Sequence, residues 1–63
     1  MEPHQQRVID ERNELDDKID KLARFMKSEM LVSLPVDEQD RLDKQLKIMW
    51  EYSSILQERM AAF

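Results

Sequence analysis

From Leu42 to Phe63 apolar side chains recur at steps of four and three residues: Leu42, Leu46, Met49, Leu56, Met60 and Phe63, with Ser53 as the polar member of the row. A second row, Ile48, Tyr52 and Ile55, runs beside the first, and Trp50 flanks the seam on the other side. Such steps keep side chains on one face of an α-helix, which turns once in about 3.6 residues. Two adjacent rows cover more circumference than one neighbouring helix can shield. The pattern therefore predicts that this helix packs against a second copy of the chain, through an interface of Leu42, Leu46, Met49, Ser53, Leu56 and Met60 together with Ile48, Tyr52 and Ile55.

The N-terminal half carries Val8, Leu15 and Leu22 at one seam position and Ile19 and Met26 at the other, with Ile9 and Phe25 widening the stripe. This is a coiled-coil-like helical pattern rather than strand alternation. Gln5 and Arg12 interrupt it, and the packing there is expected to open to solvent, because a buried unpaired arginine is costly. Acid-to-base steps of four, Glu14 to Lys18, Asp17 to Lys21 and Asp20 to Arg24, each add only about 0.2–0.5 kcal/mol of helical bias. Lys21, Arg24 and Lys27 near the end of this segment, and Asp37, Glu38 and Asp40 at the start of the next, complement the helix dipoles.

Glycine is absent, and the two prolines, Pro3 and Pro35, punctuate the chain. Each suits the first turn of a helix, where its missing N–H is not needed. The reading is one domain over residues 1–63: a helix over 3–29, a connector over 30–35 and a helix over 36–61. Leu34 precedes proline and is excluded from helical geometry, and Ser33 and Asp37 are both candidates to cap the second helix. The connector, Met30-Leu31-Val32-Ser33-Leu34-Pro35, is apolar for a loop; it is expected to fold back over the end of the core, the alternative being an exposed hook for a partner. The fold class expected is all-α, an antiparallel two-helix hairpin about 40 Å long that dimerises into a four-helix bundle.

Composition supports self-association. At 63 residues a chain hides too little surface to be comfortably stable without disulfides, metal or oligomerisation. Cysteine is absent and His4 is the single histidine, which leaves oligomerisation. Regular apolar periods amid 38% charged residues indicate a folded, soluble chain. A net charge of -4 and a pI near 4.8 disfavour nucleic acid and anionic membrane as direct partners, since both need a basic face. The opening Met1-Glu2-Pro3-His4 is unlike a signal peptide, and a cytoplasmic location is the expectation.

Catalytic constellations are missing: there is no Cys/His pair, no glycine-rich phosphate cradle and no second histidine to complete a zinc site with His4. No enzyme activity, metal or cofactor is expected. Acidic residues from Asp10 to Asp20 are interrupted by Arg12 and Lys18, which reads as a wet helix face more readily than as a DNA mimic. Tyr52 is assigned to the core with Ile48 and Ile55. Trp50 either closes a dimer edge or serves as an exposed anchor of the kind enriched in binding hot spots. Met26, Met30, Met49 and Met60 suit gap filling or adaptable surfaces, and Ser53 is expected to allow close helix approach.

Arg7-Val8-Ile9, Glu14-Leu15-Asp16-Asp17-Lys18-Ile19, Leu34-Pro35, Glu38-Gln39, Gln45-Leu46 and Tyr52-Ser53-Ser54-Ile55-Leu56-Gln57-Glu58-Arg59 together resemble a group of small, crAss-related proteins encoded by tailed phages and prophages. The resemblance spans nearly the whole chain and rests mainly on the Leu-Pro break and the Tyr-Ser run; Trp50 departs from the group. It implies a helical hairpin of phage origin acting in the cytoplasm of an infected bacterium, with no catalytic residues. The leading expectation is a homodimeric module that inhibits a host bacterial protein, such as a transcription regulator or defence component, through Trp50, Met30, Leu31 and Val32. The alternatives are an oligomeric sponge that sequesters a nucleotide immune signal with Lys47, Arg59, Trp50 and Tyr52, and a purely structural self-assembling protein.

Overall fold

The computed structural model describes residues 2–63. Two long helices, α1 (Pro3–Met26) and α2 (Val36–Ala61), run antiparallel, and a short 3₁₀ segment, Glu29–Ser33, lies between them. No strand is present among the described residues. The hairpin measures 46 × 14 × 13 Å, close to the rod length that two helices of 24 and 26 residues imply.

Local chemistry sets the helix ends. Pro3 occupies the first turn of α1, and the Glu2 backbone N–H donates to Gln5 Oε1 at 3.0 Å, which closes the N-terminus reciprocally. The α-helix stops at Met26, short of the expected Glu29. Lys27 N–H turns back to Arg24, Ser28 is extended, and the Ser28 hydroxyl takes the Phe25 carbonyl at 2.7 Å. A serine that satisfies a terminal carbonyl competes with continuation of the helix, and apolar periodicity alone does not register that competition. Leu34 is extended ahead of Pro35, as expected. Neither Ser33 nor Asp37 caps α2: Pro35 is the N-cap residue, its carbonyl accepts from Glu38 and Gln39 N–H, and the Gln39 side chain holds the Leu34 carbonyl at 2.9 Å. The Ser33 hydroxyl is committed to the Met30 carbonyl instead.

Very little is enclosed. Val8, Ile19 and Leu56 form the buried apolar core, and Ser53 is the buried polar residue. Leu15, Leu22 and Met26 on α1, and Leu42, Leu46, Met49 and Met60 on α2, are half-buried along the same seam. The first apolar row of α2, from Leu42 to Met60, is thus covered by α1 of the same chain, while Phe63 at its end is exposed. The second is left outside: Ile48 is 63% and Ile55 51% exposed, with Tyr52 beside them. The connector divides in a similar way, with Leu31 and Leu34 half-buried and Met30, Val32 and the adjoining Val36 exposed.

Leu56, at 0% exposure, is the best-enclosed side chain. Leu56→Ala is expected to cost about 2–5 kcal/mol, comparable to the whole stability of a core this small. Chemical denaturation should show most of the cooperative transition lost, whereas Glu14→Ala on the exposed face should shift it by less than about 0.5 kcal/mol.

Candidate functional site

The interruptions in the two helical seams meet across the hairpin. Arg12 Nη2 donates to Gln57 Oε1 at 2.9 Å, and the buried Ser53 hydroxyl donates to Asp16 Oδ1 at 2.6 Å. Stepping from the first pair to the second moves one turn along α1 and one turn back along α2, as an antiparallel register requires. Arg12 Nε approaches Asp16 Oδ2 at 3.6 Å, an ion-pair distance too long for a hydrogen bond. That N–H is therefore buried without an acceptor. On the other flank of the seam, the Tyr52 hydroxyl donates to Glu11.

These ties border a groove between the helices. Arg12, Asp16, Ile19, Asp20 and Ala23 of α1 and Trp50 and Ser53 of α2 line it, around a volume of about 320 Å³, within the about 300–1,000 Å³ usual for small-molecule sites. Sequence and geometry explain the shape. Ala23 supplies no bulk, Ser53 is small, and Trp50 sits at the outer wall with 56% of its surface exposed. A wide aromatic face beside small residues makes a slot. Asp20 is held by Arg24 at 3.0 Å, which leaves further lone pairs on the carboxylate for a ligand.

A second, shallower depression of about 330 Å³ lies on α2 among Arg41, Lys44, Gln45, Ile48 and Met49. It has no aromatic wall and shares Ile48 with the exposed apolar row. No group of three or more metal-ligating side chains occurs among the described residues, and no helix there is long and apolar enough to cross a membrane.

The Sequestin family model matches residues 2–62. The chain belongs to the Sequestin family. No curated protein and no solved structure matches it. The family name points to binding and sequestering. The match carries the family and does not extend to a phage origin.

Within this Sequestin chain the residues expected at the site are dispersed. Trp50 lines the groove, but Lys47 is paired with Asp43 at 3.0 Å, Tyr52 reaches Glu11 across the opposite flank, and Arg59 is not among the groove residues. Met30 and Val32 are exposed at the tip with Leu31 half-buried between them, remote along the chain from Trp50. Arg12, Asp16, Asp20 and Ala23 were not anticipated as site residues. Their signal was the coincidence of two polar breaks, Arg12 in one seam and Ser53 in the other, which an antiparallel hairpin brings to the same level.

Asp16→Ala leaves the Ser53 hydroxyl buried without an acceptor and removes the neutralising charge beside Arg12. It is expected to destabilise the hairpin by about 1–3 kcal/mol. A double-mutant cycle with Ser53→Ala should return a coupling of at least about 0.5 kcal/mol; additive effects would mean that the pair does not hold the helices together.

Proposed function

We propose that this chain acts by stoichiometric sequestration: a self-associating helical hairpin holds a small ligand of the nucleotide class in the Trp50 groove and removes it from solution without converting it. The observation that carries this reading is the exposed indole of Trp50 over a slot walled by Asp16, Asp20 and Arg12. An aromatic platform with a few convergent polar groups is the composition of a site for a flat heterocycle. Sequestin membership supports capture as the mode of action. Binding rather than catalysis fits the groove's chemistry, because its hydroxyl, Ser53, is 4% exposed and already donates to Asp16. The resemblance to small phage and prophage proteins supplies the setting, the cytoplasm of an infected bacterium, where removing a nucleotide signal blunts host immunity.

Self-association is the second half of the proposal. With the first apolar row covered by α1, the row of Ile48, Tyr52 and Ile55 is the surface available to another copy, completing a four-helix bundle. Sedimentation equilibrium at low micromolar concentration is expected to give a dimer or larger species, and Ile55→Asp to shift it toward monomer. A wild-type monomer that melts cooperatively at high dilution removes this half.

Calorimetry against mononucleotides, cyclic mononucleotides and cyclic dinucleotides tests the first half. Saturable binding by at least one of them, abolished or strongly weakened by Trp50→Ala, is the expected result. A second reading, inhibition of a host protein, is favoured by the exposed Met30, Val32 and Val36 at the hairpin tip. Absence of nucleotide binding, together with capture of a bacterial protein that Val32→Asp releases, would replace sequestration with that reading.

A further inference from the structure

We infer that two copies of this chain meet through α2 against α2, antiparallel about a two-fold axis beside Glu51, with Ile55 of each copy seated in the depression at Arg41, Lys44, Gln45 and Ile48 of the other. This rests on the self-association half of the proposed function and adds which helix meets its own copy, in which direction and in which register.

The choice of helix follows from where apolar surface is left. Exposed large apolar side chains occur on α2 and at the turn, and none of those described lies on α1. There Val8 and Ile19 are buried, and Ile9, Leu15, Leu22 and Phe25 are half-buried. A second copy can therefore cover Ile48 and Ile55 with its own α2 and has little to offer from α1. The outer row also has the steps of a coiled-coil seam: Arg41, Gln45, Ile48, Tyr52, Ile55 and Arg59 alternate intervals of four and three. Such seams interlock by inserting a side chain of one helix into a hole between four residues of the other. Arg41, Lys44, Gln45 and Ile48 surround such a hole, the open depression of about 330 Å³ on α2. Within one hairpin nothing fills it.

Charge decides the direction. Lys44, Glu51 and Glu58 recur every seven residues along one edge of this seam, and all three are exposed. Neither Lys44 nor Glu58 makes an ion pair among the described residues. In an antiparallel pair the edge meets itself reversed, so Lys44 faces Glu58 of the second copy, twice by symmetry. Glu51 then faces Glu51 at the axis, the one like-charge contact on this edge. A parallel pair sets the same edge against the opposite one, which here holds Met49 and the buried Leu56, and leaves Lys44 and Glu58 without partners. The antiparallel setting also brings Ile55 over the depression and Tyr52 against Ile48. Arg59 of the second copy comes near Arg41, whose charge Glu38 offsets at 3.2 Å. Trp50 lies about 180° around α2 from this seam, so both grooves face outward.

The chain has no cysteine, so introduced thiols report the contact directly. Gln45→Cys and Ile55→Cys would be made in separate full-length chains, checked for helicity by circular dichroism, and oxidised at low micromolar concentration alone and mixed. The mixture should yield a disulfide-linked pair at least about tenfold faster than either variant alone, since only juxtaposed thiols bridge. Sedimentation equilibrium reads the charges. Lys44→Glu and Glu58→Lys should each weaken association by about 3- to 30-fold, and the combined variant should return to within about threefold of the unmodified chain. Glu51→Gln should tighten it. If either cysteine variant links to itself as readily as in the mixture, the antiparallel direction is overturned and self-association survives. Association that ignores the single charge reversals, or that the combined variant fails to restore, overturns the register. A chain that associates yet forms no disulfide in any combination overturns the α2 seam. A monomeric chain overturns this inference and the self-association reading together.

Discussion

Two helices laid side by side share one seam, and that geometric limit governs the molecule. Burial of apolar surface is the main favourable contribution to folding, yet among its described apolar residues the hairpin encloses only Val8, Ile19 and Leu56. Lengthening the rod adds seam and outer surface together, so it does not deepen the interior. What the seam cannot supply has to come from elsewhere: helix ends closed by Gln5, Ser28 and Gln39, polar ties across the helices, and the apolar row left uncovered on α2.

The polar layer at Arg12, Asp16, Ser53 and Gln57 turns this shortage into specificity. Apolar contacts along a seam tolerate sliding by a turn, whereas a buried hydroxyl with a single acceptor does not, because a displaced register leaves it unpaired. Ser53 on Asp16 therefore fixes which turn of α1 meets which turn of α2. The same layer borders the Trp50 groove, so the device that sets register also shapes the site. Arg12 Nε–H is the unbalanced part of the arrangement, a donor held without its partner.

Much of the fold was legible in the sequence because helical periodicity is a strong signal over long segments. Pro3, Pro35 and the steps of Val8, Leu15, Ile19 and Leu22 point to α1 and α2 directly. The end of α1 was not legible, since it depends on a serine hydroxyl competing for a carbonyl. Two of the three acid-to-base steps formed ion pairs, Asp17 with Lys21 and Asp20 with Arg24. The site was less legible than the fold. Trp50 stood out as an aromatic off the main seam, but Asp16, Asp20 and Ala23 looked like ordinary surface positions until the register placed them opposite it. Which of the two apolar rows α1 would cover was equally undetermined by spacing, as both have helical periods.

The cross-helix ties also have a direction along the rod. At the turn end the chain itself joins α1 to α2, while Asp16–Ser53, Glu11–Tyr52 and Arg12–Gln57 all lie toward the opposite, unlinked end. The hairpin behaves as tweezers clasped beyond the midpoint: one closure is covalent and local, the other polar and reversible. Trp50 sits on the hinge side of that clasp, so its slot lies between the covalent closure and the polar one. The polar closure thereby stands between the free ends of the arms and the indole.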